Sequence, residues 1–308
     1  MKKPAFLLAL LVAFSPFVAS AAQLYFDPDN GTHGLNETFV VNIRIDNEND
    51  CINAAHVEVT YPPHSLRAVD FSRGDSIFTL WAEEPKIDTQ RGVVSFSGGV
   101  PGGYCGRISG DPAMTNILGK IVFTVIDPST SAAALHFSPA TRVYLNDGKG
   151  TEATLHTGGA TFAITAATST GPNPWLQEVA ADTIPPDPFD VVIESTHGIF
   201  GGNYYLVFST VDKQTGLDHY EVYDRGSWKA ATSPYELQDQ ILRDVQVKAI
   251  DKAGNVTLGT ISSTTPPRQV SIFEGLPVWL VIAIFLVIGL LLWLRERRRT
   301  VQPPGEAS

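Results

Sequence analysis

Catalysis and metal binding need nucleophiles, acids, bases or ligands at set spacings, and the chain carries 7 His, 2 Cys and 32 Asp and Glu residues to supply them. Their arrangement yields little. No HExxH, GxSxG or CxxC pattern occurs, so the common zinc and nucleophile signatures are absent. The histidines are scattered without ligand spacing and read as surface or hydrogen-bonded side chains. Gly74-Asp75-Ser76-Ile77 has the composition of a hydrolase serine block. That chemistry also needs a positioned His and Asp, and here the block falls in a turn between strands. Asp27-Pro28-Asp29-Asn30-Gly31 is acidic enough for calcium but lacks the D-x-[DN]-x-[DN]-G spacing, so it is expected to be a turn. The Gly-rich loop Pro101 to Pro112 lacks GxxxxGK[ST] and therefore the phosphate cradle. The residues predict a protein without catalytic site, metal or cofactor.

Cys51 and Cys105 are the two cysteines. In an oxidising compartment two cysteines most often pair. The bridge would close a loop of about 55 residues and stabilise by roughly 3–4 kcal/mol in the chain-entropy picture. Two free buried thiols are the alternative.

The ends of the chain argue for that compartment. Met1, Lys2 and Lys3 precede an apolar run, Phe6 to Phe14, and a small-residue site at Ala19-Ser20-Ala21. Residues 1–22 therefore read as a secretory signal peptide, with an uncleaved anchor as the alternative. Leu276 to Leu294 contains no charge. As a helix it would reach roughly 28 Å, close to the hydrocarbon thickness of a bilayer. Trp279 and Trp293 stand near its ends, where aromatic rings favour the interface, and Arg295, Arg297, Arg298 and Arg299 follow. This pattern predicts a transmembrane helix over 276–294, a cytoplasmic tail over 295–308 and everything earlier outside the cytoplasm. A buried core helix is the other reading of the run. The formal net charge of −10 argues against nucleic acid or anionic lipid as a partner, and it also serves solubility.

The elements between the two ends are strands. In Thr38 to Asp46, Phe39, Val41, Ile43 and Ile45 alternate with Val40, Asn42, Arg44 and Asp46, which predicts a half-buried strand. Ala54 to Tyr61 repeats the pattern, with His56, Glu58 and Thr60 facing out. Val93 to Ser97, the more deeply buried Ile117 to Ile126, Leu135 to Phe137, Arg142 to Leu145 and Ala160 to Ile164 follow. Turn residues at Asn30-Gly31, Pro62-Pro63, Gly98-Gly99 and Asn146-Asp147-Gly148 separate them. Residues 23–165 thus form an all-β sandwich. Residues 166–186, rich in Ala, Thr, Pro and Gly, read as an extended spacer in which Trp175-Leu176 could dock or begin a short helical turn. Residues 187–264 form a second β unit, and 265–275 lead to the membrane stretch.

The order of these elements resembles a cohesin module. It runs from the strands Phe39 to Asp46 and Ala54 to Tyr61 to Leu66 and the Arg73-Gly74-Asp75 turn. Val93 to Ser97, Leu118-Gly119-Lys120-Ile121-Val122-Phe123 and the closing Gly158-Gly159 complete it. Where cohesins usually follow the strand-end Tyr with Asp and Pro, Tyr61 here precedes Pro62 and Pro63. The resemblance implies a jelly-roll sandwich that binds a dockerin-like protein without catalysis through the exposed face of one sheet. That face would include His56, Glu58, Trp81, Glu83, Ser95 and Ser97. Asp212, Thr215-Gly216-Leu217, Tyr220-Glu221-Val222 and the ending Ala249-Ile250-Asp251-Lys252-Ala253-Gly254-Asn255 resemble bacterial Ig-like or fibronectin type III-like domains. That likeness implies a stalk in which Asp251 and Asn255 tie the last turn.

Two other readings stay open. Related jelly rolls bind polysaccharide through planar aromatic rows, for which Trp81, Tyr104 and Tyr144 are the available rings. Alternatively the protein is structural, an envelope component whose partner is another membrane protein.

Overall fold

The computed structural model describes residues 22–48, 50–106, 116–168, 171–238 and 245–262, with positions 290, 291 and 293. The chain divides into two units, Met1–Thr264 and Thr265–Ser308, and both sandwiches belong to the first. Apart from those three helical positions, the expected span over 276–294 lies outside the described residues, as do the signal segment through residue 21 and the tail. Among the described residues no helix is long and apolar enough to cross a membrane.

The first sandwich contains β1 (Ala22–Asp27), β2 (Asn30–Leu35), β3 (Thr38–Asp46), β4 (Ile52–Thr60), β5 (Leu66–Ser72) and β6 (Leu80–Asp88). It continues with β7 (Val93–Tyr104), β8 (Ile117–Val125), β9 (Ala132–Phe137), β10 (Arg142–Leu145), β11 (Leu155–Thr157) and β12 (Ala160–Thr168). One sheet has the order β11-β1-β3-β8-β5. The other runs β2-β12-β9-β4-β7-β6, with β10 pairing β4 on the side. Phe39, Val41, Ile43 and Ile45 of β3 meet Val57, Val59, Phe96 and Phe162 from the opposite sheet in one core. Period-two alternation puts them there, because successive side chains of a strand leave on opposite faces. Cys51 and Cys105 are joined, which ties the approach to β4 to the end of β7.

Two turn expectations give way. Asn30-Gly31 opens β2 rather than making a turn, and Gly98-Gly99 lies within β7. At Gly98 a Cβ would come within 2.3 Å of the Phe78 ring. The glycine there makes room for an aromatic side chain and does not bend the strand.

The second sandwich packs the sheet β17-β14-β13-β20 on the sheet β16-β15-β18-β19. Its strands are β13 (Asp190–Glu194), β14 (Tyr205–Phe208), β15 (Leu217–Asp224), β16 (Ser227–Ala231), β17 (Tyr235–Glu236), β18 (Gln246–Asp251), β19 (Val256–Leu258) and β20 (Thr260–Ser262). A bulge between Leu217 and His219 changes the phase of β15. Leu217 and Tyr220, which strict alternation would put on opposite faces, are therefore both buried. Asp251 holds Asn255 as expected. Its Oδ1 accepts from the Asn255 backbone N–H at 2.8 Å and its Oδ2 from Asn255 Nδ2 at 2.9 Å.

The linker is not an extended spacer. Asn173 caps α1 (Pro174–Ala181), its Oδ1 accepting from the N–H groups of Trp175 and Leu176, and Pro174 occupies the first turn. Trp175 is only 5% exposed and its Nε1 donates to Asp70 Oδ2 at 3.0 Å. Docking and helix formation, expected as alternatives, occur together. The helix explains why β8 is buried on both faces. Lys120 projects away from the core yet is buried, its ammonium donating to Asp75 Oδ2 and Glu178 Oε1, both at 2.9 Å.

The sandwiches meet backbone to backbone. Ser72 Oγ donates to the Thr215 carbonyl at 2.6 Å and the Asp75 N–H to the Lys213 carbonyl at 3.2 Å. A Cβ on Gly74 would come within 2.0 Å of the Gln214 carbonyl oxygen, and one on Gly216 within 2.5 Å of the Gly74 nitrogen. Gly216 also has a φ of +86°. Lys252 Nζ donates to Asp70 Oδ1 at 2.7 Å, which adds a charge pair across the same seam.

Two predictions follow from the seam. Gly216→Ala inserts a methyl group where the chains touch and strains a left-handed residue, at a cost of about 2 kcal/mol or more. Calorimetry of the variant should resolve the sandwiches as two separated transitions, whereas the parent unfolds with the two coupled. The second concerns Lys120. Burial works against its charge, but the hydrogen bonds and charges of Asp75 and Glu178 outweigh it and raise its pKa. Stability from a raised lysine is complete below the ordinary value of about 10.4 and is lost as pH climbs through the folded value. Urea melts above about pH 10 should therefore fall more steeply for the parent than for Lys120→Met. Parallel curves would exclude this linkage.

Candidate partner-binding face

The two sheets of the first sandwich differ in what lies on their outer sides. Over β3, β8 and β5 the outer side is covered by α1 and met by the second sandwich. Over β4, β7 and β6 it carries part-exposed polar groups. Register sets these in rows. His56 of β4 is opposite Ser97 of β7, which is opposite Glu83 of β6. One step along, Glu58 pairs with Ser95 and Ser95 with Lys86. Five of the six residues expected on a binding face, His56, Glu58, Glu83, Ser95 and Ser97, are thus neighbours on one open surface.

The first row is hydrogen-bonded. Ser97 Oγ donates to Glu83 Oε2 at 3.2 Å, and His56 Nδ1 lies 2.8 Å from Ser97 Oγ. A carboxylate only accepts, so the single hydroxyl proton goes to Glu83 and His56 Nδ1–H must donate to Ser97. This direction is the reverse of an activated nucleophile, in which serine gives its proton to histidine. The row presents polar atoms and does not prepare an attack.

Trp81 is the correction. It is opposite Gly98, on the inward phase of the sheet. Its ring packs at 5.7 Å from Phe78, 5.8 Å from Phe96 and 6.1 Å from Phe71, with the Arg73 guanidinium 5.1 Å from the ring centroid. Arg73 in turn pairs with Glu84. Bulges in β6 at Trp81/Glu83 and Glu83/Lys86 break simple alternation, so charged neighbours mislead about its direction. Trp81 and Tyr104 pack half-buried against the core, so the possible glycan row of Trp81, Tyr104 and Tyr144 is not presented as three exposed rings.

Trp81 is replaced on the surface by a hollow that sequence reasoning missed. Ala54, Gly99 and Leu80 are cross-strand neighbours, next along from the polar row. With Ala82, Val100 and Pro101 they line an open concavity of about 290 Å³. Leu80 is 51% exposed beside it. The clue was the run of small residues, Ala54 and Gly98-Gly99, where a strand would normally carry bulk.

The other suspected chemistry dissolves. Ser76 is buried, its Oγ donating to the Leu118 carbonyl at 2.8 Å and accepting from the Phe78 N–H. Asp75 is held by Lys120. Asp27 pairs with Arg44 at 2.7 Å. One cluster not foreseen is Asp182, Asp212 and Asp251, three buried carboxylates from separate segments. Burial raises the pKa of Asp212, against the Gly216 N–H that lowers it, and the charges of Asp182 and Asp251 push it further up.

The first sandwich thus has one covered and one open sheet face. Its similar solved structures are cohesin modules. A non-cellulosomal cohesin from the archaeon Archaeoglobus fulgidus shares 15% identity over 47% of this chain and 92% of that one, with a TM-score of 0.37. The sixth cohesin of Acetivibrio cellulolyticus scaffoldin B, solved with a dockerin, shares 15% over 47% and 99%, also at 0.37. A cohesin module from a Clostridium perfringens family 33 glycoside hydrolase shares 15% over 48% and 97%, at 0.34. No protein-family model matches the chain, and no curated protein matches it.

The orientation of the two hydrophobic residues is testable by stability alone. Trp81→Ala should cost about 3 kcal/mol in denaturant unfolding, as removal of a core ring does. Leu80→Asp should stay within about 0.5 kcal/mol of the parent, as an exposed position does. Equal effects would contradict the packing of Trp81 against the core and the exposure of Leu80.

Proposed function

We infer that this is a non-catalytic scaffold or adhesion protein whose first sandwich captures a protein partner through the β4–β7–β6 face. The observation that carries this reading is the pairing on one uncovered sheet of an apolar hollow with a hydrogen-bonded polar row. A protein interface combines a desolvated apolar centre with polar atoms at its edge. Leu80 and the hollow would supply the first, and His56, Ser97, Glu83 and Glu58 the second. The sequence resemblance to cohesins implies a dockerin-like partner, a helical module whose apolar face would enter the hollow.

The second sandwich serves as a stalk that holds the first in a fixed orientation. Signal segment 1–22, span 276–294 and the arginines after it place both sandwiches outside the cytoplasm on one membrane helix. What supports that placement is the length and purity of the apolar run together with the basic flank. Protease added to intact cells should remove the sandwiches and spare the tail. Protection of the N-terminal part would overturn this placement.

Full-length protein, presented to a panel of dockerin domains and in parallel to a glycan array, should bind protein and not sugar. Leu80→Asp should abolish capture, and Ser97→Ala with Glu83→Gln should weaken it by about 1–3 kcal/mol without lowering Tm. Binding to glycans alone, or binding indifferent to all three substitutions, would overturn the assignment.

A further inference from the structure

Asp182 follows α1, Asp212 opens the loop that meets the first sandwich, and Asp251 ends β18. Their carboxylates bring oxygen atoms within 4.8 Å of one another. They are 5%, 3% and 2% exposed. Three like charges so placed repel strongly and lose their hydration, so a fold keeps them only with compensation.

Protein groups supply part of that compensation. Asp182 Oδ2 accepts from the Thr215 N–H at 3.2 Å and from Thr215 Oγ1 at 2.5 Å, and its Oδ1 accepts from the Ile184 N–H at 3.0 Å. Asp212 Oδ1 accepts from the N–H groups of Gly216 at 2.7 Å and Gln214 at 3.1 Å. Asp251 is engaged by Asn255. Among the described residues no positive charge joins them. Lys252, next to Asp251 in sequence, is committed to Asp70 and Asp218. Among the described residues nothing donates to the buried Asp212 Oδ2, and Gln214 Oε1 in the same loop is a second buried oxygen without a donor.

A buried carboxylate oxygen without a donor among the described residues, beside two further buried carboxylates, is chemically suited to a metal. We propose that Asp182, Asp212 and Asp251 bind a divalent cation of the hard, oxygen-preferring kind, calcium, at the junction of helix, loop and second sandwich. All-oxygen ligation excludes the softer metals that favour sulfur or imidazole. Calcium tolerates an irregular shell and completes it with carbonyl oxygens and water, whereas magnesium demands a near-octahedral one. The consequence is mechanical. The ion would join the end of α1 to the 212–216 loop, whose other side contacts Gly74, and so lock the seam on which the first sandwich is mounted. This site is independent of the partner-binding face.

The experiment uses the full-length protein, stripped with EDTA and titrated with calcium alone or magnesium alone. Calorimetric titration should find one calcium per chain, with saturation by about 1 mM as in extracellular modules. Tm should rise by several degrees in calcium and much less in magnesium. Asp212→Asn keeps the acceptor for Gly216 and Gln214 but removes the charge. It should weaken calcium binding at least about ten-fold and remove the calcium-dependent part of Tm, while the metal-free protein stays folded. If that variant does not fold, Asp212→Ser gives the same comparison. No calcium uptake by the parent, or unchanged uptake by the variant, would overturn the proposal, as would equal stabilisation by magnesium.

Discussion

The structure depends on a contact in which main chain meets main chain. Gly74 and Gly216 let the turn after β5 and the loop before β15 approach until backbone touches backbone. Interdomain contacts built from long side chains can slide, because each rotamer change relaxes them. A seam where main chains touch resists this, since any shear breaks the Asp75–Lys213 backbone hydrogen bond and the short Ser72 hydroxyl bond to the Thr215 carbonyl together. The relative orientation of the sandwiches is therefore fixed in the way that strands in a sheet are fixed.

That constraint decides which surface is left for a partner. With the linker folded into α1 and Trp175 seated against Asp70, the β3–β8–β5 sheet loses its outer face to the protein itself. Arg73, at the same turn, reaches Glu84 and the ring of Trp81. The seam thus draws in the aromatic residue that a reader of β6 would place outside. The seam reaches the opposite sheet at the β6 edge, where Arg73 meets Glu84 and Trp81 and Ser209 Oγ donates to the Thr79 carbonyl, while the polar rows and the hollow stay open. Covered and open faces are two results of one docking event.

The strands of the first sandwich were legible because alternation is a local signal: β3 and β10 appear with the bounds their sequence suggests, and the disulfide followed from there being two cysteines to pair. The linker was not legible, since its composition describes a free spacer and its structure comes from contacts with Asp70 and Lys120, residues far away in the chain. Trp81 failed for a related reason. Its phase is set by two bulges that fit β6 to β7, and bulges leave no periodic trace. Gly98 was read as punctuation because turns are the commonest use of a glycine pair, whereas the cause here is the Phe78 ring. The acidic cluster was invisible because its members lie on three segments, and no spacing rule spans such distances.

The direction of one proton separates the functional readings more sharply than any likeness. On the open face His56, Ser97 and Glu83 have the composition of a catalytic set, and an inventory of residue types would stop there. Their order is wrong for catalysis: serine lies between acid and base, its proton is held by the acid, and the histidine donates to it. Reversing that arrangement would require the carboxylate to release the hydroxyl. The same three groups, taken as a fixed row of donors and acceptors beside an apolar hollow, are complete as they stand. A surface that is already hydrogen-bonded loses little entropy when a second molecule settles on it.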